Sequence, residues 1–262
     1  MDSFATQAVE PNHPAGPLAP SPPLPLPRWL AAVQVFAVCG IPTQTVVFVG
    51  MFLAGRAMGA DGSSLTADPS NISFEFFAMS SLFDTALIAV LILVFLTLSG
   101  ETSRQVFLGR RRLATEAALG LALLPVLYLM VAGVVTLLRT WLPALHNVET
   151  NPMAAFMDTP LKAGIFIVVS VLAGGVREEL QRAFILHRFE QRLGGIWVGL
   201  AVFSLAFGAF HVTQGFDLAI GVGLLGLVWG VLYVKRRSIV ASAVSHAAFN
   251  AAQTLVQFLS TQ

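Results

Sequence analysis

Apolar stretches long enough to cross a bilayer recur along this chain, and they constrain its fold more than any other feature. A helix that spans the hydrocarbon core takes about 20 mainly apolar residues. Such stretches run over residues 29–54, 76–98, 113–138, 161–189, 196–212, 218–234 and 238–259. Composition agrees: 56% of the 262 residues are hydrophobic and 11% are charged, against about a quarter charged in an ordinary soluble domain. Lipid admits only structures that satisfy every backbone group internally. The expected fold is therefore all-α, a polytopic transmembrane helical bundle of about seven spans. Three regions follow: a Pro-rich tail over 1–27, three spans with their loops over 28–160, and a four-span core over 161–262. The tail has no cationic residue ahead of an apolar core, so it lacks a signal-peptide pattern, and it reads as disordered or polyproline II. The single cysteine, Cys39, leaves no internal disulfide and no Cys-based metal site. The net charge of +1 gives no ground for a nucleic-acid partner.

The loops orient the bundle. Arg104, Arg110, Arg111 and Arg112 join spans 2 and 3, Arg188 and Arg192 sit between spans 4 and 5, and Lys235, Arg236 and Arg237 between spans 6 and 7. The other connections are acidic or nearly neutral. With seven spans all three basic loops share one side, as the positive-inside rule requires. The N-terminus is then cytoplasmic, and a prokaryotic inner membrane is the expected location.

Against this apolar background one stretch stands out, Arg177-Glu178-Glu179-Leu180-Gln181-Arg182-Ala183. Ionised groups inside a membrane are costly and default to functional sites. Residues three or four apart share a helix face, so Arg182 is expected to meet both carboxylates. Two later spans carry Phe207 with His211 and His246 with Asn250, each pair four residues apart. If spans 4 and 5 form a hairpin turning at Gly194–Gly195, Glu178 and His211 are equidistant from the turn and lie at one depth. His246 is about 14 Å past Arg237 and Glu178 about 15 Å before Arg188, at roughly 1.5 Å per residue, so all three converge near mid-membrane. The connection after His211 then begins well short of the surface, where irregular backbone must face protein or water. A polar cavity among the C-terminal helices is expected.

Alone, each piece has a structural reading: a core histidine, a salt-bridged Glu, a packed Phe207. Asp84 is expected to hydrogen-bond Ser80, Ser81 or Thr85. Gly226 and Gly230, with Gly221 and Gly223, read as close helix packing, and Tyr128, Trp141 and Trp229 as core or interface aromatics. Together the polar groups suit hydrolysis. A carboxylate beside imidazoles can deprotonate water, and a His or Asn can hold the oxyanion. Alternatively His211, His246 and one Glu bind Zn²⁺, with the other Glu as base.

At these residues the sequence resembles the CAAX protease and bacteriocin-processing (Abi) family, which includes type II CAAX prenyl endopeptidases. The resemblance rests on the paired Glu with a following Arg, Phe207-Gly208-Ala209-Phe210-His211, and His246-Ala247-Ala248-Phe249-Asn250, in that order on successive spans. It covers residues 161–258. One departure is the spacing from the Glu pair to Arg182, two residues in place of three. The resemblance implies an intramembrane endopeptidase in which Glu178 activates water and His211, His246 and Asn250 bind the water or stabilise the oxyanion. Glu179, Arg182 and Phe207 are supports. The family is described both as metal-dependent and as using glutamate alone; with two histidines at hand the reading leans to no cofactor over Zn²⁺ on His211 and His246. The expected partners are membrane lipids and a peptide or membrane-protein substrate. A non-catalytic scaffold or immunity protein is the alternative, and a small transporter or proton relay a third.

Overall fold

The computed structural model describes residues 26–58 and 73–260. The Pro-rich tail, apart from its last two residues, and the loop acids Asp61 and Asp68 lie outside them. Every apolar stretch forms helix, and no strand occurs among the described residues.

The first stretch is two helices, α1 (Arg28–Val38) and α2 (Ile41–Ala57), bent by 45°. Gly40 at φ 100° and Pro42 in the first turn of α2 make the break. It frees the Val38 carbonyl, which accepts a 2.6 Å hydrogen bond from the Gln181 amide. Next come α3 (Phe74–Leu98) and α4 (Leu113–Trp141). The fourth stretch is one run of 33 residues with three parts: α5 (Pro160–Val169), a π-helical segment (Ser170–Arg177) and α6 (Glu178–Arg192). Helices α7 (Ile196–Ala209), α8 (Phe216–Arg236) and α9 (Val240–Ser260) complete the chain.

Five of these runs are long and apolar enough to cross a membrane, and the bent α1–α2 pair makes a sixth. The protein is a polytopic helical bundle. The expected seventh span, α9, has 21 residues and so is long enough, but it does not reach the same apolarity. Ser242, Ser245, His246 and Thr254 are buried on it. A helix enclosed by protein can carry polar groups that a lipid-facing one cannot.

The α6–α7 hairpin turns where the Gly pair predicts. Gly194 and Gly195 hold φ of 106° and 100°, a left-handed bend that side chains disfavour, and the Gly195 amide caps the Phe189 carbonyl at 2.9 Å. The glycines of α8 serve packing, as expected. A Cβ on Gly226 would lie 2.8 Å from the Phe207 ring, and one on Gly230 would strike Leu200. One apolar core joins α1, α3, α6 and α7 around Val38, Ile88, Ile92, Phe184 and Leu200. A second, of Leu127, Phe207, Leu225, Trp229 and Phe249, lies between α4, α7, α8 and α9.

The three basic connections meet at one end of the bundle. Arg236 pairs with the fully buried Glu116, Arg237 with Glu190 at 2.6 Å, and the Ile239 amide donates to the Phe107 carbonyl at 2.8 Å. At the same end Glu101 accepts from His187 at 2.6 Å and from Arg188 at 2.5 Å. Arg188 is itself fully buried and also donates to Gln34 of α1 at 2.7 Å, so one guanidinium ties α6 to α1 and to the connection after α3. At the opposite end the buried Asp217 accepts from Arg139 at 2.7 Å and contacts His146 at 3.0 Å.

Burial alone would push the Glu101 carboxyl up, but the bonds from His187, Arg188 and Gln191 outweigh it and hold the group at about 2, below its ordinary 4.5. A depressed carboxyl contributes stability that is complete above the unfolded value and lost as pH falls through the folded one. Thermal unfolding in detergent should therefore show a loss of stability between pH 4.5 and about 2 that Glu101→Gln removes, starting from a lower plateau at neutral pH.

Candidate active site

The π-helical segment sets up the site. Its wide turns end at Arg177, so Glu178 and Glu179 open α6, and π-bulges of this kind recur at functional positions. Gly174 and Gly175 lie within it because α9 comes too close for a side chain. A Cβ on Gly175 would sit 2.6 Å from Ala247, and one on Gly174 would strike the Asn250 amide.

Neighbouring in sequence, the two carboxylates have different surroundings. Glu179 is 1% exposed; its Oε1 accepts from the Arg182 guanidinium and, at 3.0 Å, from His246 Nδ1. Arg182 is fully buried, with its guanidinium carbon 5.0 Å from the Phe203 ring, 5.1 Å from Phe207 and 5.7 Å from Trp229. Aromatic faces of this kind favour a desolvated cation. Glu178 is half-buried and takes its cation from Arg177 at 3.2 Å, while its Oε2 faces His246 Nε2 at 3.7 Å. Arg182, expected to meet both carboxylates, makes its hydrogen bond to Glu179 alone. The guanidinium closes on the residue one turn back, and Arg177 serves the other.

His246 is fixed from three sides. Nδ1 meets Glu179, the Trp229 indole stacks on the ring at 3.8 Å between centroids, and the Phe207 ring meets it edge-on at 6.0 Å. An ionised carboxylate only accepts, so Nδ1 carries the proton and Nε2 offers a lone pair towards Glu178. Trp229, expected as a core or interface aromatic, is buried in the core and is also a direct neighbour of this imidazole; its own N–H donates to Ser245 at 2.9 Å.

His211 lies beyond the last residue of α7, at the start of a short 3₁₀ turn (Val212–Gln214), still within the apolar run Ile196–Gln214. Its Nδ1 donates to the Phe207 carbonyl at 2.7 Å, and its ring is 5.1 Å from that of Phe207. Phe207 thus separates and touches both imidazoles. Asn250 donates to the Ser170 carbonyl at 3.3 Å, one of the carbonyls at the start of the π-helical segment.

Sequence reasoning missed the outer layer. Asp84 does not bond Ser80, Ser81 or Thr85. The Ser80 and Thr85 hydroxyls donate to backbone carbonyls, and Asp84 pairs with Arg177 across the α3 interface. Two opposite charges in separate apolar stretches were the available signal, since a lone ion at that depth needs a counter-ion. Among the described residues no three His, Cys, Asp or Glu side chains are grouped to hold a metal ion. His211 and His246 each engage Nδ1 and leave Nε2 free, the arrangement of an imidazole that ligates through Nε2.

The polytopic helical bundle thus buries Arg177, Glu179, Arg182 and His246 together, with Glu178 half-buried beside them. Residues 160–252, α5 through most of α9, match the family model for type II CAAX prenyl endopeptidases, Rce1-like, so this part of the chain is similar to that family. No curated protein and no solved structure matches the chain.

Replacing Asp84 with Asn removes the α3 partner of the Arg177 cation and leaves it Glu178 alone. Loss of one partner of a buried ion pair costs about 3–5 kcal/mol, so the thermal midpoint in detergent should fall well below that of the parent. The apolar double replacement Asp84→Leu with Arg177→Met should recover only part of that stability, because Glu178 then loses its cation.

Proposed function

We propose that this protein hydrolyses peptide bonds within the membrane with Glu178 as the base. The observation that carries the reading is the unequal environment of the two carboxylates. Glu179 is spent on Arg182 and His246, whereas Glu178 is half-buried and shares a 3.7 Å gap with the His246 Nε2 lone pair. A water reaching both acceptors would donate one proton to each and turn its remaining lone pairs outward to a substrate carbonyl. As its oxygen adds to that carbon, Glu178 takes a proton and a tetrahedral oxyanion forms. Collapse breaks the C–N bond, and the proton passes to the departing amine.

His211 and Asn250 are the donors proposed for the oxyanion. His211 spends Nδ1–H on the Phe207 carbonyl, so it donates from Nε2 only as imidazolium. Asn250 turns its amide from Ser170 to the substrate. Glu179 and Arg182 hold His246 in one tautomer, with Phe207 packed between the imidazoles. No step runs through a metal. The substrate is a peptide or membrane-protein segment entering from the lipid or from water. The basic ends of the helices support a cytoplasmic N-terminus, and a prokaryotic inner membrane is the location proposed.

Membrane peptides co-expressed with the parent should be cleaved, and Glu178→Gln should lower turnover by about a hundredfold or more while leaving the thermal midpoint within a few degrees. Chelator should leave the parent rate unchanged. Full turnover by Glu178→Gln removes it as base, and loss of activity with chelator, restored by Zn²⁺, replaces this mechanism with a metal one. Unchanged biological activity of an inactive variant favours a scaffold.

A further inference from the structure

The end of the bundle where the basic connections meet holds a hollow of about 270 Å³, lined by Arg104, Leu108, Gly109, Arg110, Arg111 and Leu113. We propose that it binds the headgroup of an anionic phospholipid in the leaflet on that side. The proposal is independent of the proteolytic reading.

Charge comes first. The acids at this end already have partners: Glu101 with His187 and Arg188, Glu116 with Arg236, and Glu190 with Arg237. Arg111 donates to the Arg236 carbonyl at 3.1 Å and stands 3.9 Å from Glu116. The guanidinium groups of Arg104 and Arg110 have no partner among the described residues, and no carboxylate lines the hollow. A phosphodiester supplies the anion that these two cations lack.

The hollow is also preformed. Its lining begins in a π-helical turn (Arg104–Leu108) held by the Tyr233 hydroxyl on the Val106 carbonyl at 3.1 Å and the Ile239 amide on the Phe107 carbonyl at 2.8 Å. Gly109, at φ 59°, lies so close to the Arg237 carbonyl that a Cβ would strike it. A ligand therefore meets a fixed wall and not a loose loop, which lowers the ordering cost of binding.

Leu108 and Leu113 select a lipid over a free anion. Leu113 is 51% exposed and opens the apolar outer face of α4, which continues through Leu121 at 56%. A headgroup among the arginines can thus send its acyl chains down that face, at the depth where juxtamembrane basic clusters read anionic lipid.

The test uses the full chain in nanodiscs of phosphatidylcholine alone or with phosphatidylglycerol, comparing parent with the Arg104→Gln, Arg110→Gln double variant. Thermal midpoint and lipid retained in native mass spectrometry are the readouts. Phosphatidylglycerol should raise the parent midpoint and co-purify with it. Each arginine removed should weaken retention about fivefold, and both together about thirtyfold. Either single variant carries the same test at the smaller loss if the double variant does not survive extraction. Equal effects of the two lipids overturn the proposal, as does full phosphatidylglycerol retention by the variants. Stabilisation of the parent by inorganic phosphate alone, to the same midpoint, makes the hollow a soluble-anion site and overturns the lipid reading.

Discussion

A carboxylate enclosed by apolar helices stays ionised only if a cation is held against it, and the contact between Glu179 and Arg182 meets that condition. The rest of the centre depends on it. Arg182 is fully buried, so its charge must be balanced where it stands, and the aromatic rings of Phe203, Phe207 and Trp229 surround it in place of water. With Glu179 ionised, His246 has a fixed acceptor for Nδ1–H, and its other nitrogen is left facing Glu178. One ion pair thus sets the tautomer of an imidazole that belongs to a different helix.

The same logic repeats outward. Arg177 lies between Glu178 and Asp84, which brings α3, from the N-terminal half, against the junction that the family match covers only from residue 160 onward. Arg188 extends the pattern to α1 and to the start of the α3–α4 connection. Buried pairs of this sort add little net stability over apolar packing, but they are directional. They fix which helices meet and at what register, which apolar contacts among Leu, Val and Phe do weakly.

Much of this was legible in the sequence. Apolar stretches gave the helices to within a few residues, the glycine pair gave the α6–α7 turn, and the three basic loops gave one common end. The Glu pair, both histidines and Asn250 stood out because polar residues are rare in such segments. What was not legible depended on three-dimensional contact. Periodicity cannot distinguish α from π hydrogen bonding, so the segment before Glu178 read as plain helix. The break between α1 and α2 was hidden because Gly40 and Pro42 lie inside an apolar run. Trp229 read as core because no spacing rule connects it to His246 in the next helix, and Asp84 lacked a partner in its own stretch.

The wide-turned segment from Ser170 to Arg177 carries one more implication. A π turn holds an additional residue relative to an α turn, so its presence sets the rotational phase of everything downstream. Away from Gly174 and Gly175, where α9 leaves no room, substitutions there change volume, which neighbouring helices can absorb. Winding the same residues as ordinary α-helix would swing the Glu178–Arg182 face by about 100°, away from α9. The segment acts as a phase insert, and the site depends on its wide winding more than on most of its side chains.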